Sequence, residues 1–186
     1  MPCEEVLAHL TGLYAASDDP WQHRTSAYEA AKYAATLDII GPGPFDQALE
    51  IGCGNGTLAA LLAPRCGHLT LMECIPAAMA SARMALAPQS NVTFIEGQAP
   101  AALPPLRPDL VLLSEVLYFL TPEEIGDLGE WLRRHASGRI IAVNWTGPTD
   151  EQLDGNAAID LLAGILGQPA THRHDGFRID IFDMTG

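Results

Sequence analysis

Three glycines, Gly52, Gly54 and Gly56, stand at alternate positions directly after a short apolar run that ends at Ile51. An alanine- and leucine-rich stretch begins near Thr57 and is typical of a helix. A strand, a glycine turn and a helix N-terminus together form a cradle that the backbone of a protein can offer to a nucleoside cofactor. The spacing therefore predicts a cofactor site at this turn.

Two acidic residues accompany the turn. Glu50 lies two residues before Gly52, and Glu73 ends the next predicted strand, where its carboxylate can accept hydrogen bonds from ribose hydroxyls. The dinucleotide pattern G-x-G-x-x-G/A fails when it starts at Gly52, because residue 57 is Thr. It is met when it starts at Gly54, because residue 59 is Ala, so the motif alone does not exclude NAD as the cofactor. We expect no second domain that could bring a hydride acceptor to a nicotinamide, which favours a smaller nucleoside cofactor.

Strand and helix patterns alternate after the turn. Predicted strands cover residues 46–51, 68–73, 91–96, 110–114 and 139–145. Repeated strand–helix units with apolar strands predict an α/β fold, a parallel sheet with helices on both faces. Thr149 and Gln152 have the spacing of a helix cap. Runs 170–175 and 177–183 surround Asp175-Gly176 and predict a terminal hairpin with at least one antiparallel strand.

The residues before the turn predict two helices. Apolar residues at helical spacing within 4–16 indicate a helix with one buried stripe. A second helix begins after Ser26, which forms a capping-box pattern with Glu29, and ends before a Gly-Pro-Gly-Pro linker. Tyr28 and Lys32 share one face of this helix, and we interpret Lys32 as a solvated surface lysine rather than a ligand, unless that face closes over the cofactor.

Length and charge limit the organisation and the partners of the chain. Its 186 residues are expected to form one domain, 1–186, with 1–40 as a helical lid on a core of 41–186. Ten Lys and Arg residues stand against 23 Asp and Glu residues, so the net charge is −13 at pH 7. An acidic surface disfavours nucleic acid and anionic lipid and favours a neutral or cationic small substrate, although it can also serve solubility alone.

The cysteines and the N-terminus carry no signal for metal binding or export. No C-x-x-C pair occurs among Cys3, Cys53, Cys66 and Cys74, so we expect reduced thiols and no metal site. The first residues are acidic where a signal peptide needs basic ones, and no apolar run approaches membrane-spanning length. The expectation is a cytoplasmic protein without a membrane partner.

The glycine motif and four segments resemble a known family. ALEIGCGNG, followed by an acid that ends the second strand, resembles the glycine motif of class I S-adenosylmethionine methyltransferases. Four segments together resemble the nodulation protein S (NodS) family over most of residues 18–120. They are Asp19-Pro20-Trp21, Tyr28-Glu29-x-x-Lys32-Tyr33, Ala48-Leu49-Glu50-Ile51-Gly52-Cys53 and Ser114-Glu115-Val116-Leu117-Tyr118.

This resemblance implies both a fold and a reaction. The implied fold is a three-layer Rossmann-like methyltransferase sandwich with a mostly parallel seven-stranded sheet, an antiparallel terminal strand and the N-terminal helical lid. Members of the family N-methylate partly deacetylated chitooligosaccharides with S-adenosyl-L-methionine, which leaves S-adenosyl-L-homocysteine. The implied activity is N-methylation of an amino sugar or a related small molecule.

The resemblance also implies site residues by position. Glu115 and Tyr118 follow the fourth strand, beside the transferable methyl group, and are the catalytic candidates. Gln98 and Ala99 stand where many relatives have an acid that contacts the adenine amine, so the role of the Gln98 side chain is open. The implied cofactor-binding residues are Trp21, Arg24, Tyr28, Glu50, Gly52, Cys53, Gly54, Glu73, Cys74, Gln98, Ala99, Glu115 and Val116.

The sequence alone leaves several assignments open. Trp21 can anchor the lid rather than line the site, and Arg24 can pair with Asp18 or Asp19 rather than with the cofactor. O-methylation of a hydroxyl would need a dedicated base, and the sequence shows no clear one. A cofactor-binding module without catalysis and an NAD-dependent enzyme also stay open as functions, and so does the oligomeric state.

The acceptor pocket is expected from residues 1–40, the segment 100–108 and the terminal hairpin. Trp145 ends the fifth strand and is the tryptophan best placed to face a ligand. His172 and His174 alternate in a terminal strand, and we expect them at the rim or on the surface.

Overall fold

The computed structural model describes residues 4–184; Cys3, predicted to be a reduced thiol, lies outside them. The helices are α1 (Glu4–Ala16), α2 (Ala27–Ile40), α3 (Thr57–Leu62), α4 (Pro76–Ala85), α5 (Pro122–His135) and α6 (Gly155–Leu166). The strands are β1 (Phe45–Ile51), β2 (Cys66–Glu73), β3 (Val92–Glu96), β4 (Leu110–Ser114), β5 (Arg139–Trp145), β6 (Ala170–Arg173) and β7 (Phe177–Asp183). Single 3-10 turns cover Ala63–Arg65 and Leu117–Phe119.

The strands form one seven-stranded sheet in the order β3-β2-β1-β4-β5-β7-β6. Neighbours are parallel, except that β7 runs antiparallel to both β5 and β6. The predicted α/β class, the mostly parallel sheet and the terminal hairpin are confirmed. β1 lies between β2 and β4, so the turn after Ile51 is at the point where the strand order reverses, the usual ligand position in such sheets.

Helices cover both faces of this sheet, which gives three layers. Ala48 of β1 packs in a core with α2, α3 and α4, whereas its neighbour Leu49 packs in a second core with α5 and α6. Leu69 of β2 and Leu112 of β4 are fully buried in the first core, and each such side chain contributes about 1.5–3 kcal/mol. The two cores therefore fix the carboxyl ends of the central strands.

The first two helices are attached to different parts of this framework. α1 packs on α4 through a small cluster that contains Tyr14, Ile75 and Ala78. α2 packs on the sheet through Tyr33 and Leu37, which belong to the first core. Both helices thereby reach the carboxyl edge of the sheet.

The start of α6 differs from the sequence-based prediction. The helix begins at Gly155, because the Asp154 carboxylate accepts a hydrogen bond from the backbone N–H of Ala157 at 2.8 Å. The predicted cap from Thr149 and Gln152 is therefore wrong. A side chain at Gly155 would overlap the end of β5, so this position fixes where the helix meets the sheet.

Candidate active site

A cavity of about 540 Å³ lies at the carboxyl ends of β1, β2, β4 and β5, with further walls from α1 and α2. It brings together the predicted residues Trp21, Tyr28, Glu50, Gly52, Cys53, Gly54, Glu73, Cys74, Gln98, Ala99, Glu115, Val116 and Tyr118. Arg24 is the exception, because the exposed guanidinium donates to Asp18 at 2.7 Å outside the cavity. For Arg24 the structure therefore supports pairing with Asp18 over the predicted contact with a cofactor.

The glycine turn exposes backbone to the cavity. Gly52 and Gly54 have φ values of +76° and +55°, in the left-handed region that favours glycine. A Cβ atom on Gly52 would lie 2.9 Å from Val116 Cγ2, and one on Gly54 would lie 3.1 Å from Tyr14 Oη. The turn therefore needs glycine both for its conformation and for its space.

Glu73 is fixed at the end of β2 by backbone N–H groups. Its Oε2 accepts from Gly54 at 2.9 Å, and its Oε1 accepts from Cys74 at 2.8 Å and from Ile75 at 2.9 Å. Burial raises the pKa of Glu73, and these three donors oppose that effect. A carboxylate offers about four lone-pair sites, so Oε2 can accept a further hydrogen bond from a ligand hydroxyl.

Glu50 is a buried carboxyl with one oxygen that no described residue pairs. The residue is 2% exposed, and its Oε2 atom has no hydrogen-bond partner among the residues that the structure describes. Burial, followed by the nearby Glu73 charge, raises the pKa of Glu50 to about 8. Such a group favours a cation or a hydrogen-bond donor beside it, since either would compensate its burial.

Glu115 is held by three hydrogen bonds at the end of β4. Its Oε1 accepts from Lys32 Nζ at 2.8 Å, and its Oε2 accepts from Tyr118 Oη at 2.8 Å and from the Trp145 backbone N–H at 2.9 Å. The φ of Glu115 is +55°, a conformation that costs a residue with a side chain on the order of 1–3 kcal/mol. This strained position directs the carboxylate to partners from α2 and β5.

Lys32 is buried, so its interpretation as a solvated lysine is wrong. It donates to Glu29 Oε1 at 3.0 Å as well as to Glu115, and it is 3% exposed. Glu29 also pairs with His23 Nδ1 at 3.2 Å. The Glu29 backbone N–H donates to Ser26 Oγ, which is one of the two hydrogen bonds of the predicted capping box. The Glu29 carboxylate binds Lys32 and His23 instead of completing the box.

The segment between α1 and α2 is tied to the glycine turn. Asn55, which is 1% exposed, donates to Asp19 Oδ1 at 2.9 Å. The Trp21 ring lies 5.7 Å from the ring of Tyr14 and 5.7 Å from that of His23, so it packs in the lid and lines the cavity at once. Tyr14, His23 and Asn55 also line the cavity, and the sequence interpretation missed them. The position of Asn55 between two motif glycines was the available signal.

Tyr28 and Trp145 form an aromatic wall. Their ring centroids are 6.1 Å apart at 81°, and Trp145 Nε1 donates to the Pro148 carbonyl at 3.2 Å. A Cβ atom on Gly176 would lie 2.7 Å from the indole and 3.0 Å from Tyr28 Oη, and one on Gly147 would overlap the indole. Trp145 faces the cavity, as predicted. Its ring packs against Gly147 and Gly176, where two loops leave room for it.

The remaining wall differs from the predicted acceptor elements. Residues 148–151 line the cavity, whereas neither the segment 100–108 nor the β6–β7 hairpin does. Ala102 of that segment packs instead on the core beneath α5 and α6. His172 and His174 are exposed, as predicted.

Other predicted features can be checked in residues 4–184. Within this range, no group of three or more His, Cys, Asp and Glu side chains is placed to hold a metal ion. Cys53, Cys66 and Cys74 are free, and burial raises the pKa of Cys66 to about 11 and that of Cys74 to about 12. None of the helices described here is long and apolar enough to cross a membrane.

Residues 7–129 match the sequence model of nodulation protein S (NodS). The chain belongs to the NodS family. It is 32% identical to the nodulation protein S of Sinorhizobium fredii (strain NBRC 101917 / NGR234) over 113 residues, 60% of this chain and 52% of that NodS protein. It is 30% identical to the one of Rhizobium tropici over 127 residues, 68% of this chain and 50% of that protein. The chain thus spans about half the length of the curated NodS proteins it matches.

Solved structures agree on the fold. N-methyltransferase NodS from Bradyrhizobium japonicum WM9, in complex with S-adenosyl-L-homocysteine, has a TM-score of 0.80 at 20% identity over 96% of this chain and 97% of that NodS chain. The DhpI complex with S-adenosylhomocysteine has a TM-score of 0.76 at 15% identity over 96% of this chain and 97% of that one. The NodS resemblance and the methyltransferase fold inferred from the sequence are confirmed.

Proposed function

We propose that this chain is an S-adenosylmethionine-dependent methyltransferase that N-methylates an amine of an amino sugar, such as a partly deacetylated chitooligosaccharide, or of a related small molecule. One observation carries the proposal. A single cavity joins a glycine cradle with two buried carboxyls, Glu50 and Glu73, to a wall that holds the Glu115 carboxylate and open aromatic rings. Membership of the NodS family supports the same activity.

The cofactor side fits S-adenosylmethionine. Gly52 and Gly54 leave room for close backbone approach, and Glu73 keeps a lone pair for a ribose hydroxyl. Glu50 carries the unpartnered buried oxygen, which suits a cofactor with cationic groups. When bound, the cofactor would supply a sulfonium methyl group that is already a strong electrophile.

Charge in the cavity favours a cationic ligand. Its acidic lining residues are Glu29, Glu73, Glu115, Asp150 and Glu151, beside the single lysine Lys32; Glu50 also lines it but is mostly protonated at pH 7, since its pKa is about 8. Such a concentration of negative charge attracts cations and focuses them into the cavity. An ammonium acceptor would therefore be enriched there relative to a neutral alcohol, which supports amine over hydroxyl as the acceptor.

Glu115 is the residue best placed to orient an amine. Three of its roughly four lone-pair sites are used by Lys32, Tyr118 and the Trp145 backbone, so Oε1 can accept one N–H from the acceptor. The amine attacks only when it is neutral, and it can lose its proton to water before the attack. Glu115 then aligns the nitrogen lone pair and stabilises the charge that remains on nitrogen.

The aromatic wall suits the body of a sugar. Tyr28 is 37% exposed, and its ring lies nearly perpendicular to the Trp145 ring, which also lines the cavity. Aromatic faces pack against the apolar C–H faces of a ring while polar groups at the edge bind hydroxyls. We propose that these two residues hold the acceptor ring beside Glu115.

A matched pair of acceptors tests the proposed function. The enzyme is incubated with S-adenosylmethionine and either a chitooligosaccharide that has one free amine or its fully acetylated form, and the products are weighed by mass spectrometry. The proposal expects one added methyl group on nitrogen with the free amine and none with the acetylated form. Equal transfer to both would indicate O-methylation. No transfer to a broad panel of amines despite tight S-adenosylhomocysteine binding would indicate a binding module.

A further inference from the structure

Lys32 occupies a position that is unusual for a lysine. It is 3% exposed, and its ammonium lies between two carboxylates, 3.0 Å from Glu29 and 2.8 Å from Glu115. The ring of Tyr28 lies above it, with its centroid 5.5 Å from Nζ. Burial lowers the pKa of Lys32, but the Glu115 and Glu29 charges outweigh that effect and raise its pKa overall. The lysine is therefore charged inside the site.

The contact joins two distant parts of the chain. Lys32 belongs to α2, and Glu115 follows β4 with the φ value of +55° described above. Tyr118 and the Trp145 backbone bind the other carboxylate oxygen, so Lys32 alone among the described residues binds Oε1. This is the oxygen that keeps a lone pair for a ligand.

We propose that Lys32 is a positioning residue for the reaction, which holds Oε1 of Glu115 at 2.8 Å and aims it at the acceptor amine, with Glu29 as the second carboxylate that allows the lysine to be buried. This inference rests on the proposed function. It assigns Glu115 as an oriented hydrogen-bond acceptor and gives α2 a direct part in the active site. Proton removal from the amine is left to water, because the Lys32 ammonium already engages Oε1 at 2.8 Å.

The groups around Glu115 define what a change at Lys32 would do. Lys32, Glu29 and Tyr28 approach it from α2, and Tyr118 approaches it from the turn after β4. Glu151, in the loop after β5, contributes negative charge on the Tyr118 side. Without the ammonium, Oε1 of Glu115 would lose its partner among the described residues, and no side chain of α2 would hold it in place.

The test compares Lys32→Met with the wild type by NMR of protein labelled with ¹³C at glutamate carboxyls, the Glu115 signal being assigned by its loss in Glu115→Gln. We expect the Glu115 carboxyl signal at pH 7 to move in Lys32→Met, because the ammonium 2.8 Å from Oε1 is lost. We also expect kcat at pH 7 with the singly deacetylated chitooligosaccharide to fall about 100-fold. S-adenosylhomocysteine affinity should stay within about threefold, since the cofactor cradle is intact.

Lys32→Arg is the conservative control and should keep the Glu115 signal and kcat near the wild-type values. The double variant Glu29→Gln/Lys32→Met removes one of the two carboxylates that lose the ammonium in the single variant, so it covers the case in which Lys32→Met fails to fold. An unchanged Glu115 signal in Lys32→Met or in the double variant overturns the proposal, and so does a moved signal with an unchanged kcat. If the wild type methylates no acceptor, the proposed function fails on its own, and the NMR signal still decides whether Lys32 holds Glu115.

Discussion

Replacement of Glu50 by glutamine is expected to remove one contribution to the loss of stability as the pH rises from 5.5 to 8. An ordinary glutamate has a pKa of 4.5, and burial followed by the charge of Glu73 raises the pKa of Glu50 to about 8. The folded state therefore binds a proton that the unfolded state releases near pH 4.5, and stability falls as the pH rises between these two values. One such group lowers stability by about 1.4 kcal/mol per pH unit, so by up to about 3 kcal/mol between pH 5.5 and pH 8.

Urea unfolding at several pH values in this range measures the effect directly. Wild type and Glu50→Gln are compared with Glu123→Gln, a matched change at an exposed position of α5. Glutamine keeps the shape of the side chain without its charge, so the variant should be the more stable protein at pH 8 and should bind S-adenosylhomocysteine less well. If wild type and Glu50→Gln lose stability in parallel as the pH rises, Glu50 does not have the raised pKa inferred here.

Three further changes test other parts of the cavity. Glu73→Ala should raise the Kd for S-adenosylhomocysteine about 100-fold by calorimetry, because it removes a charged acceptor and leaves backbone donors unpaired; an unchanged Kd contradicts the assignment. Gly54→Ala, at φ +55° and with its Cβ 3.1 Å from Tyr14 Oη, should lose about 1–2 kcal/mol in urea unfolding and weaken cofactor binding; no loss would mean that the turn tolerates a side chain. Gly176→Ala should displace the aromatic wall and raise the acceptor KM while cofactor affinity stays constant, and a change in cofactor affinity alone would argue against that wall as an acceptor surface.

The fold was predictable because each step of it is local. Apolar strand patterns, proline or glycine at the helix ends and the Asp175-Gly176 turn specify elements one at a time, and the strand–helix alternation then dictates a parallel sheet. The proposed cofactor side of the cavity was predictable for the same reason, since the glycine turn and Glu73 occupy fixed places on consecutive strands. Gly54 follows β1 and Glu73 ends β2, and these strands are parallel neighbours. A 2.9 Å hydrogen bond joins the two residues.

The acceptor side was less predictable because its contacts are not local. Lys32 binds Glu115, 83 positions away, and nothing in the helix pattern around Lys32 reveals that partner. The start of α6 was misplaced because Thr149 and Asp154 both precede suitable helix sequence, and only the fit of Gly155 against β5 selects Asp154. The loop before Asp154 then lines the cavity where the segment 100–108 had been expected.

Binding of S-adenosylhomocysteine, measured against NAD, tests the central claim most directly. In calorimetric titrations S-adenosylhomocysteine should bind one site per chain, and at 100 times its Kd it should stabilise the protein by about 2.7 kcal/mol. For a chain of 186 residues that corresponds to a rise in Tm of about 5–10 °C. In the presence of NAD the Tm should stay unchanged. A chain that binds NAD and is stabilised by it, but does not bind S-adenosylhomocysteine, would contradict the assignment of this cavity to S-adenosylmethionine.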